Sequence, residues 1–129
     1  MTDSGAYQLV VRLAEDKRIE IGAFGEFDFR AGYYIYTGSA MRNLGQRIAR
    51  HLRAEKTHRW HIDYLLAHPA ASVVDVVRYF SEERIECGIN QKMLKLPGAS
   101  VPARGFGSSD CRVCPAHLLY FDGVNPFDI

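Results

Sequence analysis

Residues 32–40 read Gly-Tyr-Tyr-Ile-Tyr-Thr-Gly-Ser-Ala. Aromatic and β-branched residues suit a pleated, half-buried surface, so residues 33–37 read as a strand. Bulk then falls away at Thr37-Gly38-Ser39-Ala40, and the chain passes through Asn43 into a helix from about Leu44 to Glu55. The apolar stripe of that helix is Leu44, Ile48 and Leu52, the spacing of one helical face.

Working outward, Tyr7 to Leu13 alternates as a strand does, with Tyr7, Leu9, Val11 and Leu13 on one face and Gln8 and Arg12 on the other. Ala14-Glu15-Asp16-Lys17 is a polar turn, and Arg18 to Gly22 reads as the returning strand of a hairpin. The aromatic stretch Phe24 to Phe29, punctuated by Gly22, Gly25 and Gly32, has no clear period. Downstream, Trp60 to Ala67 reads as a helix, and Ser72 to Phe80 as a β-branched, buried strand. Ser81 offers a cap for a helix over Glu82 to Lys95, with Ile85, Ile89 and Met93 inward. A loop rich in glycine and proline leads to a last short strand, His117 to Phe121. The class is therefore α/β of the α+β kind: one domain over residues 1–129, a small and mainly antiparallel sheet flanked by helices.

With 129 residues, 47% of them hydrophobic, the chain is large enough to bury a core without staples. No run of about 18 apolar residues appears, and Met1-Thr2-Asp3-Ser4-Gly5 lacks the basic-then-apolar layout of a signal peptide. Three cysteines do not form the even framework of a small secreted fold. A cytoplasmic protein without a membrane partner is expected.

The net charge of +1 conceals an uneven distribution. Residues 40–61 hold Arg42, Arg47, Arg50, Arg53, Lys56 and Arg59 against Glu55 alone, and His51, His58 and His61 lie in the same window. Such a segment is either a solvated helix face or a surface that meets phosphates. Arg47 lies about 60° and His51 about 20° from Leu44 around the helix, so both border the buried stripe. Glu86 lies near the stripe of its own helix, whereas Glu83 points outward. Trp60 is either a core anchor or a ring on which a base stacks. Asp63 is placed to orient His61 or to pair with an arginine. Cys111, Cys114 and His117 have the spacing of a zinc knuckle, for which Cys87, His58 or His61 would supply a fourth ligand. Reduced free thiols, or a loop that only positions Asp110, are the other readings of that segment.

Gly5-Ala6-Tyr7 opens the first strand, and Tyr36-Thr37-Gly38 closes the later one just before the arginine-bearing helix. Together with YIYTGSA, RIARH, WHIDYLL, IEC, GFGSSDC and HLLYF, this order resembles the GIY-YIG nuclease superfamily, and within it the Uri-type branch, over Tyr7 to Phe121. Proteins of that branch are sometimes fused to endonuclease III-type repair glycosylases. Ala6 and Thr37 replace the usual isoleucines, and the interval between the two motifs is longer than the superfamily's, which a hairpin insertion would absorb.

The resemblance implies a metal-dependent endonuclease that hydrolyses a nucleic-acid phosphodiester, DNA being the expected substrate and repair the expected setting. It assigns Tyr7 as general base or orienting group with Tyr36 beside it, Arg47 and His51 on the next helix, and Glu86 as the carboxylate for Mg²⁺ or Mn²⁺. Structural Zn²⁺ would be a second metal. Gly38, Ser39, Arg42, Arg50, Arg53, Lys56, Arg59, Trp60, His61, Ser108 and Asp110 would face the nucleic acid. Two rival readings are a silent nucleic-acid-binding module of the same fold and a module that docks on a repair glycosylase.

Overall fold

The computed structural model describes residues 3–53, 56–107 and 114–128. The main sheet is antiparallel with strand order β5-β1-β4-β7-β6, where β1 is Gly5–Leu13, β4 Gly32–Ala40, β5 Ala71–Phe80, β6 Ala99–Ser100 and β7 Leu118–Phe121. β2 (Lys17–Ile21) and β3 (Gly25–Phe29) form a separate two-stranded hairpin. Among the described residues there are three α-helices: α1 Leu44–Leu52, α2 His61–Leu66 and α3 Glu86–Leu94. Among the described residues no helix is long and apolar enough to cross a membrane. The α+β class and the mainly antiparallel sheet are those read from the sequence.

The two faces of the sheet are unequal. Tyr7, Leu9, Val11 and Leu13 of β1 join Tyr34 and Tyr36 of β4 in the larger core, which also takes Leu44 and Ile48 of α1, Ile62 and Leu65 of α2, and Ile19, Ile21 and Phe29 of the hairpin. Burying an aliphatic side chain of this size contributes about 1.5–3 kcal/mol, so α1, short as it is, holds to the sheet by Leu44 and Ile48. On the opposite face α3 covers a smaller cluster of Val10, Ile35, Met93, Leu119 and Phe121. Because α3 covers that side, Gln8 is fully buried rather than solvated. Its amide donates to Thr37 Oγ1 at 3.1 Å and accepts from the Tyr79 hydroxyl at 2.7 Å.

Several boundaries differ from the sequence reading. Arg18 to Gly22 returns not against β1 but against β3, with Lys17 opposite Phe29; the aromatic stretch is a 3-10 turn at Gly22–Phe24 followed by β3. This hairpin occupies the interval between β1, which carries Tyr7, and β4, which carries Tyr36. α1 ends at Leu52, which is 52% exposed, because His51 takes the inward position of the last turn. Among the described residues β5 is an edge strand, paired with β1 and broken by a bulge near Val74, so its β-branched run is half-exposed instead of buried. The Ser81 hydroxyl accepts from Glu83 N at 3.0 Å and closes a turn; helix α3 starts only at Glu86.

Candidate active site and metal cluster

Tyr7 sits opposite Gly38 in the β1–β4 ladder, and Leu9 sits opposite Tyr36. Tyr7 and Tyr36 are therefore diagonal neighbours on one face, with ring centroids 6.4 Å apart. A Cβ on Gly38 would lie 2.5 Å from the Tyr7 hydroxyl. The lack of a side chain at Gly38 thus makes room for the Tyr7 ring. Gly107 does the same for Tyr36, whose ring would meet its Cβ at 3.0 Å.

A pocket of about 300 Å³ opens above these rings and is lined by Tyr7, Tyr36, Arg47, Arg59, Glu86 and His117, among others. Five elements meet there: β1 brings Tyr7, β4 brings Tyr36, Thr37 and Gly38, α1 brings Arg47, α2 brings His61, and the first residue of α3 is Glu86. Residues distant in the chain are joined because β1 and β4 are neighbours, and α1 and α3 lie on opposite faces of that pair.

His51 does not line this pocket. It is 2% exposed, and its Nε2 lies 2.7 Å from the Tyr7 hydroxyl. Burial drives its pKa down to about 4, so the ring is neutral near pH 7. Its Nδ1 is buried without a hydrogen-bond partner among the described residues. A buried N–H without a partner is rarer than an unused lone pair, which favours the tautomer with the proton on Nε2, donating to the Tyr7 oxygen. Burial, with Tyr36 close by, pushes the Tyr7 phenol far above its ordinary value, although the Arg47 guanidinium acts in the other direction. Tyr36 is pushed up to about 12, again chiefly by burial. Both are phenols, not phenolates, near neutrality.

Arg47 donates to the Ser39 carbonyl at 3.1 Å and stacks over the Trp60 ring at 4.8 Å. It has no carboxylate partner among the described residues, so its charge is available to an anion in the pocket. Arg50 is placed differently. Its fork grips both oxygens of Asp63 at 3.1 and 3.0 Å and the Thr57 carbonyl at 2.8 Å. Asp63 is fully buried and also accepts the backbone N–H groups of Arg59 and Trp60 at 2.8 and 2.9 Å. Burial alone would raise its pKa; the Arg50 fork and these amides outweigh it and hold the carboxylate low. Arg50 and Arg59 also face the Trp60 ring, at 4.3 and 5.5 Å. Trp60 is a shelf for guanidinium groups, and of the two sequence readings of Asp63 the ion pair is the one realised.

The remaining basic-window residues scatter. Arg42, Arg50, Arg53 and Arg59 line a second groove beside the pocket. Lys56 instead donates to the carbonyls of His51 and Arg53, at 2.6 and 3.1 Å, at the end of α1. His61 accepts from Gly107 N at 3.0 Å and stacks on Phe24 at 4.2 Å. Ser39 lines both cavities. Ser108, Asp110 and Cys111 lie outside the described residues. Arg84, which lines both cavities, was missed in the sequence: read inside a helix over Glu82 to Lys95, it stands instead in the turn before α3.

Glu86 has a side chain only 13% exposed, and Arg84 is 3.9 Å from its Oε1. Its Oε2 is buried with no hydrogen-bond partner among the described residues. Beside it, Cys87, Cys114 and His117 place their ligand atoms within 4.8 Å of one another and could hold a metal such as zinc. Of the residues named as a fourth ligand, Cys87 is the one brought to Cys114 and His117; His58 instead packs against Tyr64, 4.7 Å away between ring centroids. Burial lowers the His117 pKa despite the nearby Glu86, which leaves a neutral imidazole suited to ligation. The His117 backbone is fixed on both sides, donating to Phe106 O at 2.8 Å and accepting from Thr37 N at 2.9 Å.

No match to the chain was found among curated proteins or among solved structures. A family model does match, over residues 6–128, and thus from the first motif strand to the last turn. By that match the chain belongs to the family described as domain of unknown function DUF123.

Proposed function

We propose that this chain is a metal-dependent endonuclease of the GIY-YIG type, acting on a nucleic-acid phosphodiester, with DNA in a repair setting as the expected substrate. The observation that carries this reading is the convergence of Tyr7, Tyr36, Arg47 and Glu86, from four elements, on one pocket. A buried carboxylate oxygen without a partner is costly, and Glu86 Oε2 has none among the described residues. A cation there would satisfy it, and Mg²⁺ needs only one or two protein carboxylates beside water and substrate oxygens. Bound there, Mg²⁺ would supply Lewis acidity and neutralise charge on the phosphate.

The chain's own groups supply the rest. Arg47, held by the Ser39 carbonyl and the Trp60 ring, grips a non-bridging phosphate oxygen as charge develops. Burial keeps the Tyr7 phenol protonated, which favours the orienting role over the base role: its hydroxyl aligns the attacking water, and His51 fixes that hydroxyl at 2.7 Å. Tyr36 forms the other wall. His51 is thus a positioning residue, acting through Tyr7.

The test incubates the protein with Mg²⁺ or Mn²⁺ and branched, flapped, damaged and single-stranded substrates. Glu86→Ala and Arg47→Ala should each lose at least about a hundredfold in cleavage rate. Cleavage indifferent to both substitutions removes this site. A silent nucleic-acid-binding module is favoured by the protonated Tyr7 phenol alone, and it requires binding without metal-dependent cleavage. For the Cys87, Cys114 and His117 cluster, elemental analysis of protein purified without chelator should find about one zinc per chain; finding none rejects zinc there.

A further inference from the structure

The pocket is recessed. Tyr7 is 2% exposed and Tyr36 8%, so a phosphate that reaches their hydroxyls must descend below the protein surface. A space of about 300 Å³ takes a phosphate with parts of its flanking sugars but no base pair. In a duplex the phosphates ride on a stiff rod with a persistence length of about 50 nm. Drawing one of them inward means unstacking its nucleotide, a cost that is least for a strand already unpaired.

The surroundings of the pocket read phosphates and single bases. Arg59 and Arg84 line both the pocket and the adjoining groove of about 1030 Å³, which continues to Arg42 and Arg53. Trp60, at the junction, has no ring face to give a base, since three guanidinium carbons lie 4.3 to 5.5 Å from its indole. A different aromatic is free. Phe80 is 65% exposed, at the end of edge strand β5. It pairs with Gly5, which pairs in turn with Ala40; Ala40 lines the arginine groove. Phe80 therefore shares the Tyr7 face of the sheet, two strand spacings or roughly 10 Å from that groove. An exposed ring beside a row of arginines is the arrangement with which proteins hold unpaired strands, phosphates on the cations and a base on the ring.

We propose that the strand this site takes is unpaired, its phosphates following Arg59, Arg84, Arg42 and Arg53 and one of its bases stacking on Phe80. The inference rests on the nuclease reading for its chemistry but not for its binding, and the test separates the two. Fluorescence anisotropy would follow wild-type protein titrated, without added divalent ions, against a labelled mixed-sequence oligonucleotide, single-stranded or annealed to its complement, in DNA and RNA versions. The unpaired strand should bind at least about tenfold tighter than the duplex. Phe80→Ala should cost about tenfold for the single strand and leave the duplex unchanged, while Val124→Ala, another exposed apolar site at 56%, changes neither. The double substitution Arg42→Ala, Arg53→Ala should reduce the slope of log affinity against log salt by about 1.4. Equal or tighter duplex binding, or indifference to Phe80→Ala in protein whose melting temperature is unchanged, overturns the proposal. Metal-dependent cutting of duplex without single-strand preference leaves the nuclease reading standing and removes this one; preferential single-strand binding without cleavage does the reverse. Similar affinities in the DNA and RNA arms mean that the sugar is not read.

Discussion

Strand β4 carries Tyr34 and Tyr36 on one face, two residues apart, and the two ends of the sheet use them differently. At the far end Tyr34 packs against Tyr120 with centroids 4.9 Å apart, and Arg30 lies 5.1 Å over the Tyr120 ring. At the near end Tyr36 packs beside Tyr7, and Arg47 stands by. Composition is the same: two phenols and one guanidinium. At the far end both hydroxyls are spent on backbone carbonyls, Tyr34 on Arg30 O and Tyr120 on Ala31 O, each at 2.6 Å. At the near end Tyr7 meets an imidazole, and the Tyr36 hydroxyl has no hydrogen-bond partner among the described residues. The direction of the hydroxyls, rather than the richness of the strand in phenols, distinguishes the two clusters.

The largest expected effect tests that distinction directly. Tyr7→Phe should lower the metal-dependent cleavage rate by about a hundredfold or more, because it removes an orienting hydroxyl; it also leaves the buried His51 Nε2 without its 2.7 Å partner, so the melting temperature should fall by a few degrees. Tyr34→Phe should leave the rate unaltered. Equal losses from both substitutions, measured on the same substrate, would erase the contrast between the two ends.

Much of this was legible in the sequence because it is periodic. The β1 alternation, the α1 stripe through Leu44 and Ile48, and the order of the two tyrosine motifs all report a local period that the fold preserves. What could not be read was tertiary. Gln8 looks solvent-facing until α3 covers it, and nothing local makes β5 an edge strand. Arg47 and Arg50 are neighbours of like chemistry, yet one is available to the pocket and the other is locked by Asp63, thirteen residues on. Gly38 and Ser39, expected to face the nucleic acid, line the pocket, but that Gly38 also leaves space for the Tyr7 ring could be read only from the strand pairing.

Gly38→Ala sharpens that last point. Its Cβ would fall 2.5 Å from the Tyr7 hydroxyl and 2.6 Å from the ring carbon bearing it. Tyr7 is buried and tied to His51, so it can yield only by displacing the hydroxyl. We expect about a tenfold loss of cleavage, and 1–3 kcal/mol of stability, the usual cost of overpacking. A variant as active and as stable as the wild type would show that the ring has freedom to move.

The next effect is on pH. His51 is buried neutral with its pKa brought down to about 4 from an ordinary 6.5, burial being the main cause; Lys56, Arg50 and Arg47 add to it and Asp63 opposes it. Between these values the unfolded chain binds the extra proton and the folded chain does not, so stability rises with pH across that window. It is lost as pH falls from 6.5 towards 4, by on the order of 2–3 kcal/mol, and this group takes no more below 4. His61 and His117 are shifted in the same direction, so the informative quantity is the difference between proteins. His51→Gln should flatten the fall in melting temperature over this interval relative to the wild type, and two parallel curves would reject the buried neutral histidine.

The smallest effect belongs to the far end. Removing the Tyr34 hydroxyl leaves the Arg30 carbonyl without its 2.6 Å donor, and a hydrogen bond of this kind contributes about 1 kcal/mol net. The ring itself stays packed between Phe29 and Tyr120, so no cavity forms and the loss should end there. For a domain of this size Tyr34→Phe should then lower the melting temperature by a few degrees. Tyr36→Phe provides the counterpart: its hydroxyl bonds to nothing described, so the melting temperature should hold while any change appears in cleavage. If Tyr36→Phe instead destabilises the protein as much as Tyr34→Phe does, the Tyr36 hydroxyl has a structural bond after all, and the two ends of the strand are more alike than their hydrogen bonds indicate.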